Sequence, residues 1–254
     1  MKMLNRVTGL IAVLMSMGCA SLSAAQVQIV DRATGQALST YKHRGKLYVA
    51  GEPGHEYEIR IHNRSAQRTL AVTSVDGVNV ITGETSAVNQ SGYVIDAYGF
   101  TGIEGWRKSM SHTARFYFTK LPDSYAARTG RPDNVGVIGV ALFRERAPCC
   151  LEKELRRESD AAGASAPAAQ ERASADQTSP SRKAESKLGT GHGRSEYSAA
   201  SYTNFERAAD MPNETVVIYY DSRRNLLAQG IIPSHTKYAH RMPQPFPGSF
   251  VPDP

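Results

Sequence analysis

Glu56-Tyr57-Glu58-Ile59-Arg60-Ile61-His62 alternates apolar and polar side chains without a break. Successive side chains of an extended strand point to opposite faces, so Tyr57, Ile59 and Ile61 share one face and Glu56, Glu58, Arg60 and His62 the other. This period of two predicts a strand with one face in a core and one in water. Leu70 and Val72 resume the pattern after the polar turn Asn63 to Gln67, which predicts a hairpin. Asp76-Gly77 marks a tight turn before Val78 to Ile81, because both residue types accept the positive φ of a two-residue hairpin turn.

Thr113 to Thr119 alternates again, with Ala114, Phe116 and Phe118 inward and Arg115 and Tyr117 outward. Val135 to Phe143 is apolar on both faces, which suits a central strand covered on both sides. Gly136 and Gly139 within it permit a bulge or the close approach of a neighbour. Between these strands, Ser124 to Arg128 followed by Gly130 reads as one helical turn with a glycine stop. Apolar runs separated by turn residues at about ten-residue spacing predict an all-β fold, a sandwich-like single domain with short helical turns over 26–147.

Composition shifts at Pro148. Leu151 to Ser159 is charged and amphipathic, and Asp160 to Ser195 is Ala, Ser, Gly, Pro and charge with almost no large apolar residue. Such a segment buries too little surface to offset its ordering entropy, so 148–200 reads as an amphipathic stretch and a flexible linker inserted in the domain. Thr215 to Tyr220 and Leu226 to Ile232 are apolar runs joined by Asp221-Ser222-Arg223-Arg224-Asn225, which predicts a β-hairpin within 201–233. An isolated hairpin is marginal in water, so it is expected to dock on the first sheet and complete the core. The tail 234–254 carries Pro243, Pro245, Pro247, Pro252 and Pro254 and favours extended chain.

Residues 1–25 have the three-part order of a secretory signal: Lys2 and Arg6, a largely apolar run from Val7 to Met17, then Ser21-Leu22-Ser23-Ala24-Ala25. Ser23 and Ala25 fit the small-residue positions that signal peptidase reads, which favours cleavage before Gln26. Cys19 competes, because Ser16-Met17-Gly18-Cys19 has the Gly-Cys of a lipoprotein box, with Ser where Leu is usual. Lipidation at Cys19 would tether the protein to a membrane. The expected address is periplasmic or secreted, with an outer-membrane lipoprotein as the alternative. No other run approaches the roughly 18 apolar residues that mark a spanning helix. Export leaves Cys149 and Cys150 in an oxidising compartment. There they can form a strained disulfide with each other, bridge to another chain, or stay free.

Lys and Arg number 30 against 24 Asp and Glu, a net charge of +6 that drops to +4 once Lys2 and Arg6 leave with the signal. The excess is scattered, without aromatic interleaving or a recognition helix, and argues against nucleic acid as a partner. Gly102 to Ser109 ends in Lys-Ser, but Trp106-Arg107 stand where a phosphate loop needs glycine. Gly189-Thr190-Gly191-His192-Gly193 reads as linker, since neither a strand before it nor a helix after it is expected. His55 and His62 fall on opposite faces of one strand and cannot share an ion, although His62 with Glu58 or Glu56 lies on the polar face. No Gly-x-Ser-x-Gly or Cys-x-x-Cys is present. Neither cofactor nor metal is expected. Trp106 has two readings: a core residue, or an exposed ring beside Arg107 and Lys108 that stacks on a ligand.

Ser74-Val75-Asp76-Gly77-Val78-Asn79-Val80, Gly92-Tyr93-Val94, Gly105-Trp106-Arg107 and Asn134-Val135-Gly136-Val137-Ile138-Gly139-Val140 occur in that order. Together they resemble an uncharacterised family of exported, β-rich proteins of Gram-negative bacteria. The resemblance covers about 50 to 145, with Tyr219-Tyr220-Asp221-Ser222 and Asn225-Leu226 near the end. It implies export and a β-rich module and carries over no catalytic or binding residue. The function expected is a non-catalytic envelope or secreted module that binds a protein or surface component through loops and an outer sheet face. Trp106, Arg107 and Lys108 are its candidate contacts. The alternatives are a hydrolase of envelope polymers using Asp76, Glu84 or Asp96, and a structural protein anchored to the membrane through Cys19.

Overall fold

The computed structural model describes residues 23–147 and 187–233. The signal through Leu22 with Cys19, the segment 148–186 with Cys149 and Cys150, and the Pro-rich tail 234–254 lie outside the described residues.

Two sheets pack face to face around one core, a mostly β, sandwich-like arrangement. Sheet A runs β1 (Ala25–Asp31), β4 (Glu56–Asn63), β10 (His112–Lys120), β12 (Leu188–Tyr197), with β8 (Phe100–Ile103) on β4 and β9 (Gly105–Arg107) on β10. Sheet B runs β2 (Thr40–His43), β3 (Lys46–Gly51), β13 (Glu214–Ser222), β11 (Val137–Arg144), β5 (Thr69–Val75), β6 (Val78–Asn79), with β7 (Tyr93–Ile95) on β5. The pairings are antiparallel except for β3 with β13.

The alternation in β4 does what its sequence predicts: Tyr57, Ile59 and Ile61 are buried, and Glu56, Glu58, Arg60 and His62 are half-exposed. On β10, Ala114, Phe116 and Phe118 face the same core. The Tyr57 ring stacks on Phe118 at 4.4 Å and on Phe116 at 5.3 Å. Each large apolar side chain buried this way contributes about 1.5–3 kcal/mol over leaving it exposed. β4 and β10 pair only at Tyr57–Phe116 and Glu56–Tyr117. Beyond that point β8 pairs with β4 and β9 with β10, filling the gap. Gly105 makes the close approach tolerable, since a Cβ there would sit 2.0 Å from the Ala114 carbonyl oxygen.

Asp76 and Gly77 have φ of 53° and 74° and join β5 to β6 with Val75 opposite Val78, the two-residue turn expected. α1 (Tyr125–Arg128) is the expected single turn, capped by the Ser124 hydroxyl accepting from the Ala127 N–H. β11 is central, between β13 and β5. Its Ile138, Val140 and Leu142 face the main core. Its Ala141 and Phe143 join Leu70 and Val72 on the opposite side, under Val94 and Phe205.

Three expectations are corrected. β4 and β5 do not form a hairpin, because they belong to different sheets and the turn between them crosses the sandwich. Leu226 to Ile232 is not a strand: α2 (Arg223–Ala228) begins at Ser222, whose hydroxyl accepts from the Asn225 N–H, and Gly230 follows at φ +69°. The run before it, as β13, does complete the core, and as a central strand of sheet B. Finally, the linker ends earlier than expected. Leu188 to Tyr197 is β12, hydrogen-bonded along β10, and its glycines at every second position admit neighbours: a Cβ on Gly191 would meet the Tyr117 ring at 2.2 Å.

Candidate functional site

The two outer faces differ. On sheet B, the cluster of Leu70, Val72, Ala141 and Phe143 lies beneath Phe205, and the Arg207 guanidinium sits 4.3 Å over the Phe143 ring. At the β2–β3 end, Leu226, Ile231 and Ile232 pack on Tyr41, Tyr48 and Ala50. On sheet A, the outward residues of β4, β10 and β12, with Glu104 just past β8, form a charged ladder. Arg32, just past β1, makes two hydrogen bonds to the Glu196 carboxylate at 2.8 and 3.0 Å, with Glu104 3.8 Å away. Arg115 bonds Glu56 at 2.7 Å and also pairs with Glu196, while Arg60 pairs with Glu58.

At the end of this ladder, Arg32, Ala33, Gly54, His55, Glu56, Arg115 and Arg194 line an open cleft of about 450 Å3. His55 Nδ1 lies 2.7 Å from Asp31 Oδ2, and this contact raises the affinity of the imidazole for its proton. Asp31 is pulled below the usual carboxylate range: burial opposes ionisation, but the His55 bond and the Thr34 and Ala33 N–H groups outweigh it. Burial likewise works against the charge on Glu196, and Arg32 overcomes it, holding Glu196 low. Glu104 is raised by burial and by its bond to Glu196. Arg194, with 71% of its side chain exposed, reaches Glu56 only at 3.5 Å. The cleft therefore presents planar guanidinium donors and an imidazole. Its lining has no hydroxyl or thiol to act as a nucleophile.

A second polar cluster is sealed between the sheets. Tyr220 donates to Asp76 Oδ1 at 2.5 Å. Its proton thus committed, Tyr220 accepts from the Thr190 hydroxyl at 2.7 Å, and Thr190 in turn accepts from Tyr57 at 2.6 Å. The chain runs one way, Tyr57 to Thr190 to Tyr220 to Asp76, and each bond polarises the next. Asp76 also accepts from the N–H of Gly136 at 2.9 Å and of Thr190 at 2.8 Å. Burial pushes the Asp76 carboxyl up to about 6, against the lowering effect of Tyr220 and the backbone donors. Burial, with the Asp76 charge adding to it, pushes both tyrosines well above their usual range. Asp76 is 1% exposed, so this cluster ties β4, β5, β12 and β13 together and does not meet ligand.

The expected contacts do not assemble. Trp106 is 4% exposed, edge-on to Phe116 at 5.2 Å and tilted against Tyr125 at 4.7 Å, so its ring belongs to the core and is not offered to a ligand. Arg107 is held by the Tyr93 hydroxyl at 3.0 and 3.1 Å and by the Ser198 carbonyl at 2.5 Å. Lys108 is exposed. Of the carboxylates considered for hydrolysis, Asp76 is buried, whereas Glu84 and Asp96 are exposed, so the three share no groove. His62 stacks on Phe100, Glu58 pairs with Arg60, and no group of metal-ligating side chains occurs among the described residues. Nor, among those residues, is any helix long and apolar enough to cross a membrane.

Strand parity marks Glu56, Glu58, Arg60 and Arg115 as outward-facing residues. Their partners Arg32, Glu104, Arg194 and Glu196 come from segments distant in sequence, and no local pattern joins them. No protein-family model, curated protein or solved structure matches the chain.

Proposed function

We propose that the chain is an exported, non-catalytic binding module of the envelope or the secreted set, which recognises a protein or surface component through the outer face of sheet A. The observation that carries this reading is the contrast between the outer face of sheet B, covered in two apolar patches, and the charged, solvent-facing ladder and cleft of sheet A. Arg32 and Arg115, each 20% exposed, are already oriented by Glu196 and Glu56. Little further side-chain entropy is lost when a partner arrives. The cleft supplies charge and hydrogen bonds but no hydroxyl or thiol, and its one carboxylate, Glu56, is paired with Arg115, which supports recognition over covalent catalysis. The signal-like N-terminus and the resemblance to exported proteins support the address.

The test is in-cell photocrosslinking from two exposed positions, Arg194 on the outer face of sheet A and Lys46 on the outer face of sheet B, each replaced in turn by a photoreactive residue. A discrete adduct from position 194 and none from 46 is expected. Equal labelling from both positions, or no adduct from 194, removes the sheet A cleft as a protein-binding site.

A further inference from the structure

The far end of the same face carries a different chemistry. Strand register sets Gln26, His62 and Phe100 in one outward row across β1, β4 and β8, and Gln28, Arg60 and Gly102 in the next. Phe100 is 68% exposed. Its ring stacks on the His62 imidazole at 5.3 Å with 26° between planes, and at 68% exposure its other side faces solvent. Two residues along, Gly102 contributes no side chain, and the Glu58 carboxylate, paired with Arg60, borders the gap. Tyr98, on the loop leading into β8, is 73% exposed and holds a φ of +57°. A non-glycine residue stores strain there, and an exposed ring recovers none of it through packing.

We infer that this end of sheet A is a glycan-binding platform, on which a pyranose ring of an envelope polysaccharide stacks against the free face of Phe100 while Gln26, Gln28 and Arg60 hydrogen-bond its hydroxyls. The inference rests on the binding-module reading and names its ligand class. A pyranose offers an apolar C–H face edged by hydroxyls, and this surface offers one exposed ring edged by amides, a guanidinium and a carboxylate. The buried core of a protein interface groups several apolar and aromatic side chains together. Here the row beside Phe100 is His62 and Gln26, and the next is Gly102, Arg60 and Gln28.

The test uses the full chain in co-sedimentation with purified peptidoglycan sacculi and in calorimetric titration with N-acetylglucosamine tetramer and maltotetraose. Binding to at least one probe is expected. Phe100→Ala should weaken it about ten-fold, and Phe100→Trp should keep it within about three-fold, since a stacking ring contributes on this scale. Thermal unfolding of each variant checks that the fold is intact. No binding of any of the three probes by the wild type overturns the inference, as does a Phe100→Ala variant that binds like the wild type. If either result is accompanied by a protein adduct from position 194, the binding-module reading stands and only the glycan is lost. With no adduct from 194, both fall.

Discussion

The burial of Asp76 should make stability fall as pH rises. Asp76 ionises near 3.8 in the unfolded chain and at about 6 in the fold. The folded state therefore keeps a proton that the unfolded state has already released, and ΔG of unfolding drops across that window. About two pKa units at 1.36 kcal/mol each amount to about 3 kcal/mol, roughly half of which falls between about pH 5 and pH 7.5. The perturbation that isolates this is Asp76→Asn. Asn-Gly suits the two-residue turn at least as well as Asp-Gly, so the backbone should hold. The amide cannot ionise, but it turns one acceptor into a donor and strands either the Thr190 N–H or the Gly136 and Tyr220 donors, at a cost of about 1–3 kcal/mol. Urea unfolding of both proteins at the two pH values cancels the titrations they share. The wild type should lose about 1.5 kcal/mol relative to the variant on going from pH 5 to pH 7.5. Parallel profiles, or a wild type that gains on the variant as pH rises, would refute the reasoning: the second result would mean that the three donors outweigh burial.

Three further outcomes are expected. Tyr220→Phe removes the charge-assisted bond to Asp76 and should cost about 1.5–3 kcal/mol in urea unfolding at neutral pH, with a smaller loss once the carboxyl is protonated. Gly105→Ala drives a methyl into the Ala114 carbonyl and should destabilise by about 3 kcal/mol, the upper end of overpacking costs, read as a lowered thermal midpoint. The His55 imidazole, followed by NMR, should titrate above its ordinary 6.5 in the wild type and move back towards that value in Asp31→Asn. An unchanged titration would separate His55 from Asp31.

Strand identity was legible wherever one residue's neighbours in sequence were enough to reveal it. The alternation in 56–62 and 113–119, the two-faced apolar run at 137–143 and the Asp76-Gly77 turn all appear in the structure, because side-chain period and turn φ are local properties. Leu226 to Ile232 looked like a strand from its apolar content, yet the cap at Ser222 and the glycine at 230 were legible as the start and stop of a helix. Gly189-Thr190-Gly191 looked like linker because low complexity marks both unfolded chain and a strand crowded by its neighbours. Only the Tyr117 ring over Gly191 and the Asp76 carboxylate at the Thr190 N–H separate the two.

The sequence alone therefore determined that this chain builds β structure with outward charges and an inward aromatic core, since both follow from spacing along a single strand. Tertiary structure decided which charges meet, that Trp106 is buried while Phe100 is exposed, and which apolar patches of one outer face are covered. These depend on which distant segments pair. Arg32 finds Glu196 across 164 residues, a choice made by the packing of two whole sheets and by no property of either residue's neighbours.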